Sequence, residues 1–185
     1  QAVSRGLGDV YKRQVINIGT PFLDQKPGTS GLRKNTLKFQ EKHYLEIFIE
    51  AILQSLEDLQ GSTLVVGGDG RYGNIEAIEK IVQICIAHKV QKVIVPKFGL
   101  LSTPATSHLI RKENAIGGII LSASHNPGGI DGDFGVKLNI SNGGPAPEII
   151  TNKIFKSSQL LTSYKICKIQ LPDFSEYGTY SYGET

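Results

Sequence analysis

Apolar residues recur along this chain at two spacings, and the two spacings alternate. Apolar positions three and four residues apart predict helices over residues 42–59 and 75–88. Short apolar runs rich in β-branched residues predict strands at residues 15–18, 63–66, 93–95, 118–121 and 134–139. Capping and proline signals predict two further helices, over residues 103–111 and from Pro145 to residue 157. The alternation predicts an α/β fold with a mixed, mostly parallel sheet sandwiched between helices.

Both ends of the chain depart from this pattern. Residues 1–14 carry neither apolar periodicity nor capping residues, so we interpret them as an artefactual leader outside the fold. Residues 15–170 are predicted to form one α/β domain, within the usual size of ~100–200 residues. Residues 171–185 lose the periodicity and are predicted to form an irregular tail.

Composition narrows the class of protein without indicating a function. Of the 185 residues, 39% are hydrophobic and 20% are charged, as is typical of soluble globular domains. The net charge of +3 is too small to indicate nucleic-acid binding, and no apolar run reaches the ~18 residues of a membrane span. The two cysteines lack metal-ligand spacing, and Cys85 lies in an apolar helical run, which predicts a buried thiol. We therefore expect a cytoplasmic protein with no nucleic-acid partner and no membrane partner.

The candidate chemistry is concentrated in residues 117–129. The strand predicted at 118–121 stops at small and polar residues, followed by a proline and two glycines, which predicts a tight, exposed loop. A hydroxyl, an imidazole and an amide therefore stand where α/β sheets bind ligands, and they belong to Ser124, His125 and Asn126. Neighbours on an extended chain point to opposite sides, so His125 is not automatically the base for Ser124.

A second polar loop follows the strand predicted at residues 63–66. Its sequence, Gly-Gly-Asp-Gly-Arg, has neither the glycine spacing of a dinucleotide-binding loop nor the Lys-Ser/Thr pair of a P-loop. We instead expect Asp69 and Arg71 to pair with each other or to orient the loop that carries Ser124. On the strand predicted at residues 134–139, alternation places Lys137 on the face opposite its apolar neighbours, from which its ammonium can reach that loop.

Several motifs, in this order, resemble those of the α-D-phosphohexomutases, and of the phosphoglucomutases in particular. They are Gln-Lys-Pro-Gly-Thr-Ser-Gly-Leu-Arg at 25–33, Val-Val-Gly-Gly-Asp-Gly-Arg at 65–71, Leu-Ser-Thr-Pro-Ala at 101–105, Ser-Ala-Ser-His-Asn-Pro-Gly-Gly at 122–129, Asp-Gly-Asp-Phe-Gly-Val-Lys-Leu-Asn at 131–139 and Ile-Ser-Asn-Gly-Gly-Pro-Ala-Pro-Glu at 140–148. The resemblance covers residues 20–170 and implies the N-terminal domain of such an enzyme, with the fold of domain I.

The resemblance implies that the parent enzyme interconverts glucose 1-phosphate and glucose 6-phosphate through glucose 1,6-bisphosphate. Ser124 would carry the phosphoryl group that is exchanged with the sugar. Arg33, Lys137 and His125 would be the other catalytic residues, which neutralise charge or move protons. Further residues are implied to bind phosphate or to orient the loop, namely Thr29, Ser30, Asp69, Arg71 and Asn126.

Cofactors and partners follow from the same resemblance. Mg²⁺ would contact this chain only through the phosphate on Ser124, because its aspartate ligands belong to a later domain of the family. The Asp-Gly-Asp triplet at residues 131–133 matches a turn position and not that metal loop. Glucose 1,6-bisphosphate would act as primer, and the substrates would be sugar phosphates. The remaining three domains of the parent chain complete the site, so we expect this chain alone to be inactive.

Two alternatives to a phosphoglucomutase stay open at this point. The parent could be a phosphomannomutase-type hexomutase, because the sugar-recognition loop of the family is not among these motifs. It could also be a catalytically silent phosphoglucomutase paralogue with a structural or trafficking role. Ser122 does stand where the family frequently has threonine, but the hydroxyl is kept and the candidate catalytic residues are all present, which favours an enzyme.

Overall fold

Seven strands and five α-helices follow one another in residues 13–182, the part of the chain that the computed structural model describes. The strands are β1 (Gln14–Asn17), β2 (Leu32–Asn35), β3 (Thr63–Gly68), β4 (Lys92–Ile94), β5 (Gly117–Leu121), β6 (Asp133–Ile140) and β7 (Ser163–Ile166). The helices are α1 (Thr36–Gln40), α2 (Tyr44–Ser55), α3 (Asn74–Ala87), α4 (Thr103–Lys112) and α5 (Glu148–Ser158).

Five of the strands form one sheet in the order β2-β6-β5-β3-β4. Strand β3 pairs in parallel with β4 and β5, whereas β6 runs antiparallel to both of its neighbours, β5 and β2. The other four strands of this sheet therefore share one direction and β6 opposes them, which confirms the predicted mixed, mostly parallel sheet. Strands β1 and β7 form a separate two-stranded antiparallel sheet.

Helices cover both faces of the five-stranded sheet, as predicted, but unequally. The main core joins α1, α2, α3 and α5 to one face, and a smaller apolar cluster around Val65 and Ile110 lies under α4 on the other face. The prediction of an amphipathic helix is wrong for α2, where Gln54 is the one exposed residue of the twelve. Because α1, α3, α5 and β7 all pack around α2, its polar residues Glu46, Glu50 and Ser55 are buried as well.

The structure moves several predicted boundaries. The helix predicted over residues 42–59 ends earlier, at Ser55, and the helix predicted from Pro145 begins at Glu148, after Pro147 at its N-cap. Gln14, which the sequence analysis assigned to the leader, begins β1. Residues 1–12 of that predicted leader lie outside the described residues.

Three short elements are not predicted from the sequence, namely β2, α1 and β7. Each has four or five residues, which is too few for a periodic pattern, and both strands pair with partners far away in the sequence. The predicted tail does lack helices and strands as far as residue 182. It nevertheless packs on the body of the domain, because Leu171 and Phe174 contact the core and the carbonyl of Phe174 accepts the backbone N–H of Phe98 at 2.8 Å.

Cys85 lies buried on α3 as a free thiol, which confirms the prediction. Burial raises the pKa of this thiol to about 12, so it stays protonated at neutral pH. None of the helices in the described part of the chain combines the length and the apolar character that crossing a membrane requires.

A buried carboxylate on α2 joins three elements of the fold. Glu50 is 2% exposed, and its Oε2 lies 2.7 Å from Nε2 of His88 at the end of α3. The same oxygen accepts the backbone N–H of Lys165 in β7 at 3.2 Å, and Oε1 accepts from Gln54 at 3.0 Å. Burial raises the pKa of Glu50, but the bonds from His88, Lys165 and Gln54 outweigh burial and hold the pKa below its usual value.

Replacing Glu50 with glutamine is expected to destabilise the chain at neutral pH and to weaken its response to acid. A carboxyl group whose pKa is lowered by folding stabilises the fold above the ordinary glutamate value of about 4.3, and this contribution is lost as the pH falls through the folded-state pKa. In urea unfolding, Glu50→Gln should be about 1–3 kcal/mol less stable than wild type at neutral pH. That difference should shrink below about pH 4.

The matched control for this prediction is Glu79→Gln, which changes an exposed carboxylate on α3. This variant should keep both the stability and the acid response of the wild type. A stability difference between Glu50→Gln and wild type that stayed constant from neutral pH down to about pH 3 would contradict the assigned role of the Glu50 carboxylate.

Candidate active site

The carboxyl ends of β3 and β5 bring two polar loops together. The strands are parallel neighbours, and Gly68 at the end of β3 lies opposite Leu121 at the end of β5. The backbone N–H of Asp69, the first residue after β3, donates to the carbonyl of Leu121 at 3.0 Å. The Gly-Gly-Asp-Gly-Arg loop therefore lies against the loop formed by residues 122–129, which we call the serine loop.

Ser124 stands exposed in the serine loop. Its φ is +51°, in the left-handed region that residues other than glycine rarely adopt, at a cost of about 1 kcal/mol. Nη2 of Arg33 donates a hydrogen bond of 2.8 Å to its Oγ. Arg33 lies on β2, 91 residues earlier in the chain, so the pairing of β2 with β6 and not local chain geometry creates this contact.

Gly135 on β6 makes room for this arrangement. It lies directly opposite Arg33 on β2, and its carbonyl accepts the backbone N–H of Ser122 at 3.0 Å. A Cβ atom at position 135 would collide with the carbonyl oxygen of Ser122 and would lie 3.3 Å from Cγ of Arg33. A residue without a side chain is needed here because the start of the serine loop approaches the backbone of β6 so closely.

Arg71 holds the serine loop through a guanidinium group, and its side chain is 7% exposed. Nε and Nη2 donate to the two carboxylate oxygens of Asp69 in a bidentate pair, at 3.0 and 2.7 Å. Nη1 donates to the carbonyls of Asp133 at 2.8 Å and Asn126 at 3.4 Å, and Nη2 donates to the carbonyl of Ser124 at 3.3 Å. The predicted pairing of Asp69 with Arg71 is confirmed. The arginine also bonds two carbonyls of the serine loop and one at the start of β6.

Asp69 connects this arginine to the backbone of Ser124. Its Oδ2 accepts the hydroxyl of Ser122 at 2.9 Å, and Oγ of Ser122 accepts the backbone N–H of Ser124 at 3.1 Å. Burial raises the pKa of Asp69, but the hydrogen bonds from Arg71 and Ser122 outweigh burial and hold the pKa below its usual value. Asp69 is therefore ionised at neutral pH, and its carboxylate accepts hydrogen bonds from both donors.

Asn126 closes the base of the serine loop. Its Nδ2 donates to Oδ2 of Asp133 at 2.9 Å, and its backbone N–H donates to the carbonyl of Ala123 at 3.0 Å. Asp133 begins β6, and its carboxylate accepts this hydrogen bond from Asn126. Within residues 13–182, no group of three or more His, Cys, Asp or Glu side chains is arranged to hold a metal ion.

His125 and Lys137 lie near the serine loop without bonding to Ser124. His125 is exposed, and within the described residues its ring makes no hydrogen bond to Ser124, whose Oγ is contacted by Arg33 instead. Lys137 is two residues beyond Gly135 on β6, so it shares the face of the sheet that Arg33 occupies. It is half-buried there, with no ion pair to the loop in the part of the chain that is described.

Thr29 and Ser30 form the tip of a tight turn that leads into β2. Gly28 and Gly31, on either side of them, exchange two backbone hydrogen bonds of 3.0 and 3.1 Å. Both Thr29 and Ser30 are exposed, and their side chains make no hydrogen bond to the residues described. A Cβ atom at Gly31 would lie 2.9 Å from Cβ of Lys137, so the turn lies directly against that lysine.

Two residues that hold the serine loop were missed by sequence reasoning. Thr36 donates its hydroxyl to the carbonyl of Gly129 at 2.7 Å, and Ser122 links Asp69 to the backbone of Ser124. Ser122 was noticed only as a departure from the threonine that is frequent in the family. No sequence signal identifies Thr36, because it lies outside the motifs and its partner is 93 residues away.

Comparison with known proteins agrees with this architecture. A family model for phosphoglucomutase/phosphomannomutase, α/β/α domain I, matches residues 24–165. Phosphoglucomutase from Aspergillus fumigatus is 56% identical over 171 residues, which are 92% of this chain and 31% of that protein. Phosphoglucomutase-1 from Oryctolagus cuniculus is 57% identical over 158 residues, which are 83% of this chain and 28% of that protein.

A solved structure supports the same assignment. It is the open form of pp63/parafusin from Paramecium, described as an exocytosis-sensitive phosphoprotein and a phosphoglucomutase, and it matches with a TM-score of 0.87 and 42% identity. The match covers 90% of this chain and 31% of that chain. The chain thus spans less than a third of the length of these relatives. It belongs to the phosphoglucomutase/phosphomannomutase family, in which it corresponds to the α/β/α domain I.

Proposed function

We propose that the parent protein is a phosphoglucomutase and that this chain supplies its phosphoryl-carrying serine. The observation that carries the proposal is the hydrogen bond from Arg33 to Oγ of Ser124, an exposed residue held in the left-handed conformation. Strained residues persist where the surrounding contacts determine them, and they cluster at functional sites. Relatives named phosphoglucomutase, at 56% and 57% identity, support the same function.

Arg33 has donors left over for a phosphoryl group. A guanidinium carries five N–H donors, and the bond to Ser124 uses one of them. Its Nε is buried and has no hydrogen-bond partner among the described residues, which costs about 1–3 kcal/mol. A phosphate on Ser124 would place acceptor oxygens beside this group and offset that cost.

The proposed reaction moves one phosphoryl group from the enzyme to the sugar and another back. The 6-hydroxyl of glucose 1-phosphate attacks the phosphorus on Ser124, so that a new O–P bond forms while the bond to Oγ breaks and the hydroxyl proton passes to a base. The resulting glucose 1,6-bisphosphate turns over and returns its other phosphoryl group to Oγ, which releases glucose 6-phosphate. Arg33 stabilises the charge on the phosphoryl oxygens during both transfers.

The remaining candidate residues are proposed to serve these two transfers. A neutral imidazole or amine can take the proton of the sugar hydroxyl, and an imidazolium or ammonium group can contact phosphate. His125 is adjacent to Ser124, and Lys137 lies on the face that carries Arg33. Thr29 and Ser30, exposed beside Lys137, are proposed to contact a phosphate of the sugar. Asn126, Asp69 and Arg71 are proposed to position the loop and not to react.

The described residues do not form a magnesium site by themselves. Near Ser124, the carboxylate of Asp69 is paired with Arg71 and that of Asp133 is bonded to Asn126. We propose that the parent protein binds Mg²⁺ through ligands outside this chain, with a phosphate on Ser124 as the contact from this domain. Glucose 1,6-bisphosphate is proposed to prime the enzyme by phosphorylating Ser124.

The phosphate on Ser124 provides the test of the proposed function. Intact mass spectrometry of the full-length parent is expected to show one covalent phosphate, which peptide mapping places on Ser124. Incubation with excess glucose 6-phosphate should remove this phosphate and produce glucose 1,6-bisphosphate. The chain of 185 residues alone, given Mg²⁺, glucose 1-phosphate and the bisphosphate, should show no turnover.

The same measurements, with mannose 1-phosphate as a second substrate, distinguish the rival functions. A parent that turns over mannose 1-phosphate as fast as glucose 1-phosphate would be a phosphomannomutase-type enzyme. A parent without phosphate on Ser124 and without turnover would match the silent paralogue. Appreciable turnover by the isolated chain would show that the other domains are not needed for the site.

A further inference from the structure

Thr36, at the junction of β2 and α1, contacts the end of the serine loop and the turn that leads from it into β6. The residue is 1% exposed, and its hydroxyl donates to the carbonyl of Gly129 at 2.7 Å. Its backbone N–H donates to the carbonyl of Gly132 at 2.8 Å. Both acceptors lie in residues 129–132, where the serine loop leads into β6, and we call these residues the return segment. Thr36 therefore donates two hydrogen bonds to the return segment.

The return segment held by Thr36 is itself a compact turn. The N–H of Gly132 donates to the carbonyl of Gly129 at 3.0 Å, and the N–H of Asp133 donates to that of Pro127 at 2.7 Å. Gly129 has a φ of +107°, and a Cβ atom at Gly132 would collide with the carbonyl of Pro127. The turn therefore keeps its own shape, and the hydroxyl of Thr36 adds a bond from this turn to the end of β2.

Thr36 and Arg71 tie the serine loop to different strands. Arg71 follows β3 and holds the carbonyls of Ser124, Asn126 and Asp133. Thr36 directly follows β2, the strand that carries Arg33. The hydroxyl of Thr36 therefore bonds the end of the serine loop to the residue that follows the strand carrying Arg33.

We propose that Thr36 is a positioning residue for phosphoryl transfer at Ser124, because its hydroxyl fixes the serine loop to the strand that supplies Arg33. The catalytic part of this inference rests on the proposed function, whereas the tether itself does not. Without the hydroxyl, the turn keeps its internal bonds but loses one of its links to β2, and Ser124 moves more freely relative to Arg33. The loss affects the placement of the reacting oxygen, so it lowers kcat and leaves KM unchanged.

The tether can be measured in the chain itself, without any activity. Thr36→Val removes the hydroxyl and keeps the shape, and Thr36→Ser keeps the hydroxyl. Thr106→Val is the matched control, since Thr106 on α4 is 0% exposed and donates its hydroxyl to the carbonyl of Ser102, the N-cap of α4, at 2.9 Å. Amide hydrogen exchange at Gly132 and Asp133 is expected to be roughly five-fold faster in Thr36→Val, and unchanged in the other two variants.

The catalytic role is measured in the full-length parent with the same three variants. Thr36→Val is expected to lower kcat roughly five-fold at constant KM, with Thr36→Ser restoring it and Thr106→Val having no effect. Wild-type exchange rates in Thr36→Val would overturn the tether, whatever the parent catalyses. Faster exchange with unchanged kcat in an active parent would overturn the positioning role. A parent without mutase activity would overturn the proposed function and this catalytic role, while the exchange rates would still decide the tether.

Discussion

Replacing Ser124 with alanine is expected to abolish the proposed interconversion of glucose phosphates by the parent protein, with a loss in kcat of roughly four orders of magnitude or more. Alanine has no oxygen to hold the phosphoryl group, so neither transfer can begin. The fold should tolerate the change, because the side chain is exposed and makes one hydrogen bond, to Arg33, within the described residues. The unfolding free energy should therefore stay within about 0.5 kcal/mol of the wild type.

Intact mass and steady-state kinetics of Ser124→Ala check this result together. The variant should carry no covalent phosphate and should show no turnover at any concentration of glucose 1,6-bisphosphate. Ser107→Ala is the matched control, since it removes a hydroxyl that donates to the carbonyl of Thr103 at 3.1 Å on α4. A Ser124→Ala parent that kept its phosphate would assign the nucleophile to another residue, and Ser122, the other hydroxyl of the loop, would be examined first.

The long elements of the fold were predictable because their patterns are local. The helix α3 buries residues at the spacing that the sequence shows, and β5 is an apolar run with glycine at its start. Helix α2 was predicted as a helix but with the wrong environment, because its burial on all sides depends on three other helices and β7. The buried Glu50 could not be foreseen for the same reason, since its partner His88 is 38 residues away.

The sequence names the residues of the candidate site, but it does not predict the hydrogen bonds between them. The family motifs name Ser124, Arg33 and Arg71, and strand alternation places Lys137 on the face opposite its apolar neighbours, which in the structure is the face that Arg33 occupies. Which side chain contacts Oγ depends on the register of β2 against β6, and β2 was not predicted at all. The sequence places His125 next to Ser124 without making it the partner of that hydroxyl, and in the structure Oγ is contacted by an arginine from 91 residues away. The motifs thus name the residues of the candidate site, and the strand register determines which of their side chains are in contact.

Replacing Arg71 with lysine is expected to lower kcat of the parent roughly a hundred-fold, although the positive charge is kept. The guanidinium of Arg71 spans the carboxylate of Asp69 and the carbonyls of Ser124, Asn126 and Asp133, and a single ammonium cannot reach all four. The serine loop would lose the links that Arg71 makes to it, and the carbonyls left without a donor should reduce the unfolding free energy of the chain by about 2 kcal/mol.

Three measurements separate loss of geometry in Arg71→Lys from simple loss of stability. Arg111→Lys is the matched control, because this exposed arginine also donates to a backbone carbonyl, that of Asn142 at 3.3 Å, but outside the serine loop. Asp69→Asn should reproduce part of the defect, and the double variant should lose less than the two single losses combined, since both residues belong to one network. Intact mass should still show phosphate on Ser124 after priming, because the nucleophile is present. If Arg71→Lys kept the kcat of Arg111→Lys, the bidentate arginine would be dispensable, and the relay through Asp69 and Ser122 would have to hold the loop without it.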